Sequence, residues 1–343
     1  MAPVASDDAG AASGPGAAGG GDREPFSGRS EMALTLASDT AGSKRTGYRG
    51  QMRIDLMAGA TLSVGAVPAS AEPTILVFDS GLGGLTVLDE VRRVRPDGRY
   101  VYAADDAAFP YGRLNEATLV ARVIAVMERL IAVHRPDLVV IACNTASTLV
   151  LPALRQRFRT PFVGVVPPIK PAAETTRSGL VSLLATPGTV ARSYTRDLIA
   201  TYAQTCRVAL VGSPNLANYA EAELAGEPVS DAALAAEIAP CFVTAEDGAR
   251  TDVVCLACTH YPLLRARFER IAPWPVSWID PAPAIARRVV QLIGPVPRRA
   301  DAGMAAVVGT FTGGAPVSAA LRASLAARGV ADLGVEAMPL VLQ

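Results

Sequence analysis

ILVFDSGLGG, residues 75–84, is a run of buried-strand residues that ends in an acid, a hydroxyl and three glycines. It passes directly into LTVLDEVRRVRP, whose apolar residues recur at helical spacing. Strand, glycine loop and helix open a βα unit, and the chain goes on alternating in the same way. Segments 74–79, 99–104, 137–142, 161–166, 180–185, 207–212 and 252–257 are apolar and β-branched and read as strands. Between them ATLVARVIAVMERLIAVH, YTRDLIATYAQ and PLLRARFERIA carry helical periodicity. Strands alternating with helices of this length imply α/β architecture, with parallel sheets built of right-handed crossovers. Ligands of such sheets sit at the carboxyl ends of the strands. The loop at 79–84 has the outline of a phosphate cradle, yet Asp79 puts an anion where such a loop would hold another. The third glycine of G-x-G-x-x-G is also missing, because position 86 is Thr, and no Lys follows as in a P-loop. A phosphate- or nucleotide-binding protein is therefore the weaker reading.

The 343 residues are half hydrophobic, with 32 basic against 32 acidic side chains, enough for one large domain or two smaller ones with real cores. A formal charge of zero gives no reason to expect nucleic acid or an anionic membrane surface as a partner. No run of eighteen apolar residues is free of charge and turn signals, so no membrane span is expected. The cysteines, Cys143, Cys206, Cys241, Cys255 and Cys258, form an odd and sparse set that reads as reduced thiols in a cytoplasmic protein. Residues 1–72 differ from the rest. GAASGPGAAGGG (10–21) is low-complexity sequence and 22–72 has little periodicity, as in a disordered extension or a start assigned upstream of Met32, Met52 or Met57. MAGATLSVGAVPASA (57–71) faintly resembles a signal peptide, but it is internal and its apolar run is broken by Gly and Pro.

Two strand ends repeat one another. DLVVIACNT (137–145) and DVVCLACTH (252–260) both start with Asp, run through apolar residues to Ala, and end Cys-polar-polar, with six positions from Asp to Cys in each. A weaker echo links ILVFDSGLGG with VSLLATPGTV (181–190). Any two buried strands share some composition; the sharper reading is two related lobes, each offering one cysteine at a strand end. Facing one another across a cleft, the two thiols would flank a small ligand. A thiol has an ordinary pKa near 8.5, so a modest push yields thiolate at neutral pH. A thiolate on one side of a carbon and a thiol on the other remove a proton and return one from the opposite face, inverting a stereocentre without a cofactor. The two roles require different protonation states, so each cysteine needs its own tuning neighbours. Asp79 and His260 are at hand.

Cys255 and Cys258 also spell C-x-x-C, but zinc would need two further ligands, and the chain has only His134 and His260 and no second C-x-x-C. On a strand their odd offset sends them to opposite faces, which makes Cys255 a core residue, and no metal site is expected. His134, before Arg135-Pro136, reads as a helix C-terminal residue. Cys206 and Cys241 have no informative neighbours.

FDSGLGGLTVL, PYG (110–112), ACNTAS, LLATPGTV and LACTHYPLL together, in this order, resemble the glutamate racemases of the aspartate/glutamate racemase superfamily. The likeness runs from about Ile75 to about Arg288. It implies two pseudo-symmetric lobes, residues 73–167 plus 280–343 and residues 168–279, each a mainly parallel sheet flanked by helices, with the active site in the cleft between them. It implies cofactor-independent, two-base interconversion of L- and D-glutamate that supplies D-glutamate for peptidoglycan. Carried across by motif, Cys143 and Cys258 are the acid/base pair, assisted by Asp79, Glu221 and His260. Substrate contacts are Asp79, Ser80, Pro110, Tyr111, Gly112, Asn144, Thr145, Thr186, Thr259 and His260, and Asp105 matches a further aspartate of the pattern. The family's Cys-Pro before the stretch leading to the glutamate is Ser213-Pro214 here, which touches the alignment of Glu221, and GTFTGGAP (309–316) keeps only part of a family pattern. An aspartate racemase of the same superfamily is the nearest rival. Nothing in the sequence sets the oligomeric state, and a homodimer stays open.

Overall fold

The computed structural model describes residues 72–296 and 306–338. The expectations about the N-terminal extension, its start codons and its signal-like stretch fall outside the described residues, apart from Glu72.

Among the described residues, ten strands form two sheets. The first contains β1 (Thr74–Asp79), β2 (Arg99–Ala104), β3 (Leu138–Ile141), β4 (Phe162–Gly164), β9 (Val307–Phe311) and β10 (Val330–Val335), in the order β10-β9-β2-β1-β3-β4. The second contains β5 (Leu180–Ala185), β6 (Arg207–Gly212), β7 (Val253–Ala257) and β8 (Ser277–Ile279), in the order β6-β5-β7-β8. All the pairings within both sheets are parallel. Strand order 2-1-3-4 in one sheet and 6-5-7-8 in the other is the same topology twice, the internal repeat written in hydrogen bonds. β9 and β10 extend the first sheet alone, and they and the three-residue β8 carry too little periodicity to be read as strands from sequence.

The helices are α1 (Leu85–Val94), α2 (Glu116–His134), α3 (Asn144–Arg157), α4 (Ile169–Thr175), α5 (Pro187–Ala191), α6 (Ser193–Tyr202), α7 (Leu216–Leu224), α8 (Asp231–Ile238), α9 (Arg265–Ile271), α10 (Ala282–Ile293) and α11 (Ala319–Ala327). They cover both faces of each sheet, which is why β1, β3, β5 and β7 are buried along almost their whole length. One face of the first sheet packs on α1 and α10 through Leu85, Leu88, Ile285 and Val289. The other packs on α2 and α3 through Val123, Met127, Val150 and Leu154. The second sheet is covered by α7, α8 and α9 through Leu216, Leu234 and Phe268, and by α4 and α6 through Ile169 and Leu198. No helix among the described residues is long and apolar enough to cross a membrane.

The aspartates that open the repeat have a shared structural task. Asp137 accepts a hydrogen bond from Thr74 N at 2.8 Å, at the start of β1. Asp252 accepts from Arg177 N, Ser178 N, Thr176 Oγ1 and Ser178 Oγ, the turn that enters β5, at 2.6–3.0 Å. Each therefore ties the entry of its lobe's central strand to the strand that ends in a cysteine.

Candidate active site

The carboxyl ends of β1, β3, β5 and β7 converge, and the residues there belong to both sheets. Asp79 ends β1 and is fully buried. Its Oδ2 accepts from Gly84 N at 2.8 Å, and Thr259 Oγ1, from the other lobe, lies 3.4 Å from both carboxylate oxygens. Ser80 Oγ stands 3.7 Å from Cys143 Sγ. Cys143 occupies the N-cap of α3, two residues past β3. Burial pushes its thiol pKa up and the Asp79 charge pushes it further, opposed by the Ala146 N–H of the helix N-terminus and by Ser80; the Cys258 charge adds to the upward push.

On the other side, Cys258 directly follows β7 and is 6% exposed, as closed in as Cys143 at 5%. Its Sγ is 3.7 Å from His260 Nδ1, and His260 Nε2 is 2.7 Å from Glu221 Oε1, so thiol, imidazole and carboxylate form a chain. Burial opposes charge on the imidazole, but the bonds to Cys258 and Glu221 outweigh it and hold the pKa of His260 well above its usual value. Glu221 sits on α7, whose first turn is tied down by Ser213: its Oγ accepts from Leu216 N at 3.1 Å and donates to Glu237 at 2.5 Å. The Ser213 hydroxyl thus anchors the start of α7, which delivers Glu221 to His260. Cys255 is buried in the opposite core, with Sγ aimed at the Pro168 carbonyl at 3.7 Å.

A third group closes the site. Tyr111 is buried and donates to Asp105 Oδ2 at 2.5 Å, so its hydroxyl is committed. Asp105 also pairs with Arg122 on α2 and accepts from Thr312 Oγ1, just past β9, at 2.6 Å, which pins the loop carrying Pro110, Tyr111 and Gly112. Gly112 comes so near Thr186 that a side chain there would touch it at 3.5 Å. Thr145 Oγ1, of α3, meets Thr186 Oγ1 at 3.0 Å and Thr189 Oγ1 at 3.2 Å, and the last two are 3.0 Å apart. Both polar atoms of the Asn144 side chain are buried without a protein partner, an arrangement that calls for a ligand or water.

Every residue named from sequence for this site lies in this region. Sequence reasoning passed over Thr189, whose T-x-x-T spacing to Thr186 looks like helix capping alone, and Phe109, whose ring packs 5.5 Å from the His260 ring. It also missed Arg122 and Thr312, since partners 17 and 207 positions away leave no local signal.

The Asp/Glu/hydantoin racemase family profile matches residues 86–289. A glutamate racemase from Brucella anthropi is 60% identical over 242 residues, 70% of this chain and 86% of the relative. One from Agrobacterium fabrum is 56% identical over 243 residues, 71% of this chain and 88% of the relative. Among solved structures, Escherichia coli glutamate racemase in complex with L-glutamate and an activator is 44% identical, with TM-score 0.71, covering 78% of this chain and 98% of that one. An isoform of glutamate racemase from Bacillus anthracis is 26% identical, with TM-score 0.65, covering 80% of this chain and all of that one.

Proposed function

The chain belongs to the Asp/Glu/hydantoin racemase family, and on that premise we propose that it interconverts L- and D-glutamate by passing the α-proton between Cys143 and Cys258 without a cofactor. It is an amino-acid racemase, and its relatives at 56–61% identity are glutamate racemases, which sets the aspartate alternative aside. The observation that carries the mechanism is the pair of thiols at equivalent strand ends of two sheets with one topology, each with different polar neighbours.

In this reading Cys258 takes the α-proton of L-glutamate while Cys143 protonates the other face, and the roles reverse for D-glutamate. The bonds to Cys258 and Glu221 hold the His260 pKa well above its usual value, so a charged imidazole stands 3.7 Å from Cys258 Sγ. Cys143 begins as the protonated partner, because burial and Asp79 hold its pKa up. An α-ammonium group against Asp79 would offset that carboxylate's charge and bring the Cys143 thiolate within reach. Removal of an α-proton moves charge onto the substrate carboxylate. Ser80, Asn144, Thr145, Thr259 and the N-terminal amides of α3 are uncharged donors suited to hold it, each worth about 3 kcal/mol if it behaves as oxyanion donors elsewhere do. The D-glutamate so formed would feed peptidoglycan synthesis in the cytoplasm.

In D₂O the enzyme should place deuterium at Cα of either enantiomer of glutamate while the circular dichroism signal decays to zero with no addition. Cys143→Ser and Cys258→Ser should each lower kcat by about 10²–10⁴-fold, the range for losing a general acid or base. Turnover of aspartate but not glutamate would sink the substrate assignment, and normal racemisation by either variant would sink the mechanism.

A further inference from the structure

We propose that Gly81 and Gly83 are positioning residues for the second-lobe cysteine: their missing side chains admit Glu221 and His260 onto the glycine loop, and this contact across the cleft holds Cys258 in register with Cys143. The inference rests on the two-thiol reading above.

Loop glycines after a strand are usually explained by backbone conformation, because glycine alone adopts positive φ freely. That explanation fails here. Positive φ occurs at Gly179, Gly226, Gly248, Gly294, Gly314 and Gly329 among the described glycines, and neither Gly81 nor Gly83 is among them. The constraint is steric instead, and it comes from the other lobe. A Cβ on Gly83 would stand 2.5 Å from His260 Nδ1, 2.6 Å from His260 N and 2.6 Å from Thr259 Oγ1, closer than real Cβ contacts come. A Cβ on Gly81 would strike Glu221 Oε1 and meet the Phe109 ring at 3.0 Å. Gly84 is a different case, since its Cβ would meet Asp79 Cβ of the same lobe at 2.8 Å.

The space left by the two glycines is used for bonding. Leu82 N donates to Glu221 Oε1 at 2.6 Å, the same oxygen that holds His260 Nε2. Thr86 Oγ1 donates to the Thr259 carbonyl at 3.2 Å. From its own lobe, Tyr102 donates to the Gly81 carbonyl at 2.6 Å and fixes the loop from below. Glu221 thus orients the imidazole beside Cys258 and fastens it to a loop that leads back to Asp79 and Ser80, the neighbours of Cys143.

Misplacement of a reacting group by about 1 Å costs on the order of 10²-fold in rate, and Gly83→Ala and Gly81→Ala should lower kcat/KM by about that factor. The loss must be equal in both directions, because enantiomers have equal free energy and the equilibrium constant is one. Isotope effects separate the two thiols. Deuterium at Cα is carried only in the abstraction step, so α-deuterated L-glutamate reports the Cys258 transfer and α-deuterated D-glutamate the Cys143 transfer. In either alanine variant the effect with L-glutamate should rise towards its full value, and the effect with D-glutamate should fall towards its equilibrium value. Equal changes in both, no change, or a change of opposite sense overturns the proposal. If wild type lacks racemisation or shows no isotope effect with either enantiomer, the two-thiol reading fails instead. Should alanine prevent folding, Glu221→Asp withdraws the carboxylate by one methylene without adding an atom, and it should give the same asymmetry.

Discussion

Cys143 lies where an isolated thiol would stay protonated, held so by burial and, beyond burial, by the charge of one carboxylate. Burial comes first and the Asp79 charge second, so removing that charge while keeping the acceptor should release the thiol. Asp79→Asn retains a carbonyl oxygen for Gly84 N and lowers the Cys143 pKa, which raises the thiolate fraction at fixed pH. Alkylation of Cys143 by iodoacetamide at pH 8, read on its peptide, should be several-fold faster in the variant than in wild type. An unchanged or slower rate would show that Asp79 does not govern this thiol. At this scale the sequence was highly legible, because Cys143, Cys258, Asp79 and His260 stand at strand ends within recurring motifs. What it hid are contacts whose meaning depends on a distant partner. Thr189 becomes more than a capping residue only when Thr145 arrives from the other lobe, and Gly83 has a reason to be glycine only once His260 is beside it.

Between residue and fold, the repeated aspartates show how elements are held so that strand ends meet. Asp252 takes four hydrogen bonds from the turn entering β5. Burial pushes its pKa up, yet these bonds outweigh it and leave the pKa below the usual carboxylate value. Hydrogen bonds to a charged group are worth about 1.5–3 kcal/mol, and Asp252 is only partly buried, so Asp252→Ala should cost about 1–2 kcal/mol in urea denaturation, after discounting for solvent screening. A depressed folded pKa gives stability that is present above the unfolded value, about 3.9, and lost as pH falls through the folded one. The difference between wild type and variant should therefore be constant near neutrality and shrink below about pH 4; a difference independent of pH would rule out the charge. The central strands β1, β3, β5 and β7 were legible because burial on both faces makes them continuous apolar runs. β10 was not, since most of its residues are at the surface and polar or small residues interrupt it, and β8 is three residues long. The aspartates of the repeat were visible as a spacing, but their anchoring task needs partners that only the fold supplies.

For the whole molecule, the decisive property is that the site has no complete version in either sheet alone. One sheet brings Asp79, Cys143 and the α3 N-terminus, the other Thr186, Cys258 and His260. Two related halves were legible in the repeat; that their strand ends face one another was not, because spacing carries no information on relative orientation. A ligand held by both halves binds only the folded, assembled form and stabilises it by mass action, about 2.7 kcal/mol at a hundred times its dissociation constant. For a body of this size each kcal/mol shifts the melting temperature by about 2–4 °C, so saturating glutamate should raise it by about 5–10 °C. L- and D-glutamate should give the same shift in wild type, since active enzyme equilibrates either one before it melts. Aspartate lacks one methylene, a difference worth about 1–3 kcal/mol in a fitted site, and at equal concentration should give about two-thirds of that shift or less. A larger shift with aspartate than with glutamate would reverse the substrate assignment while leaving the two-thiol arrangement intact.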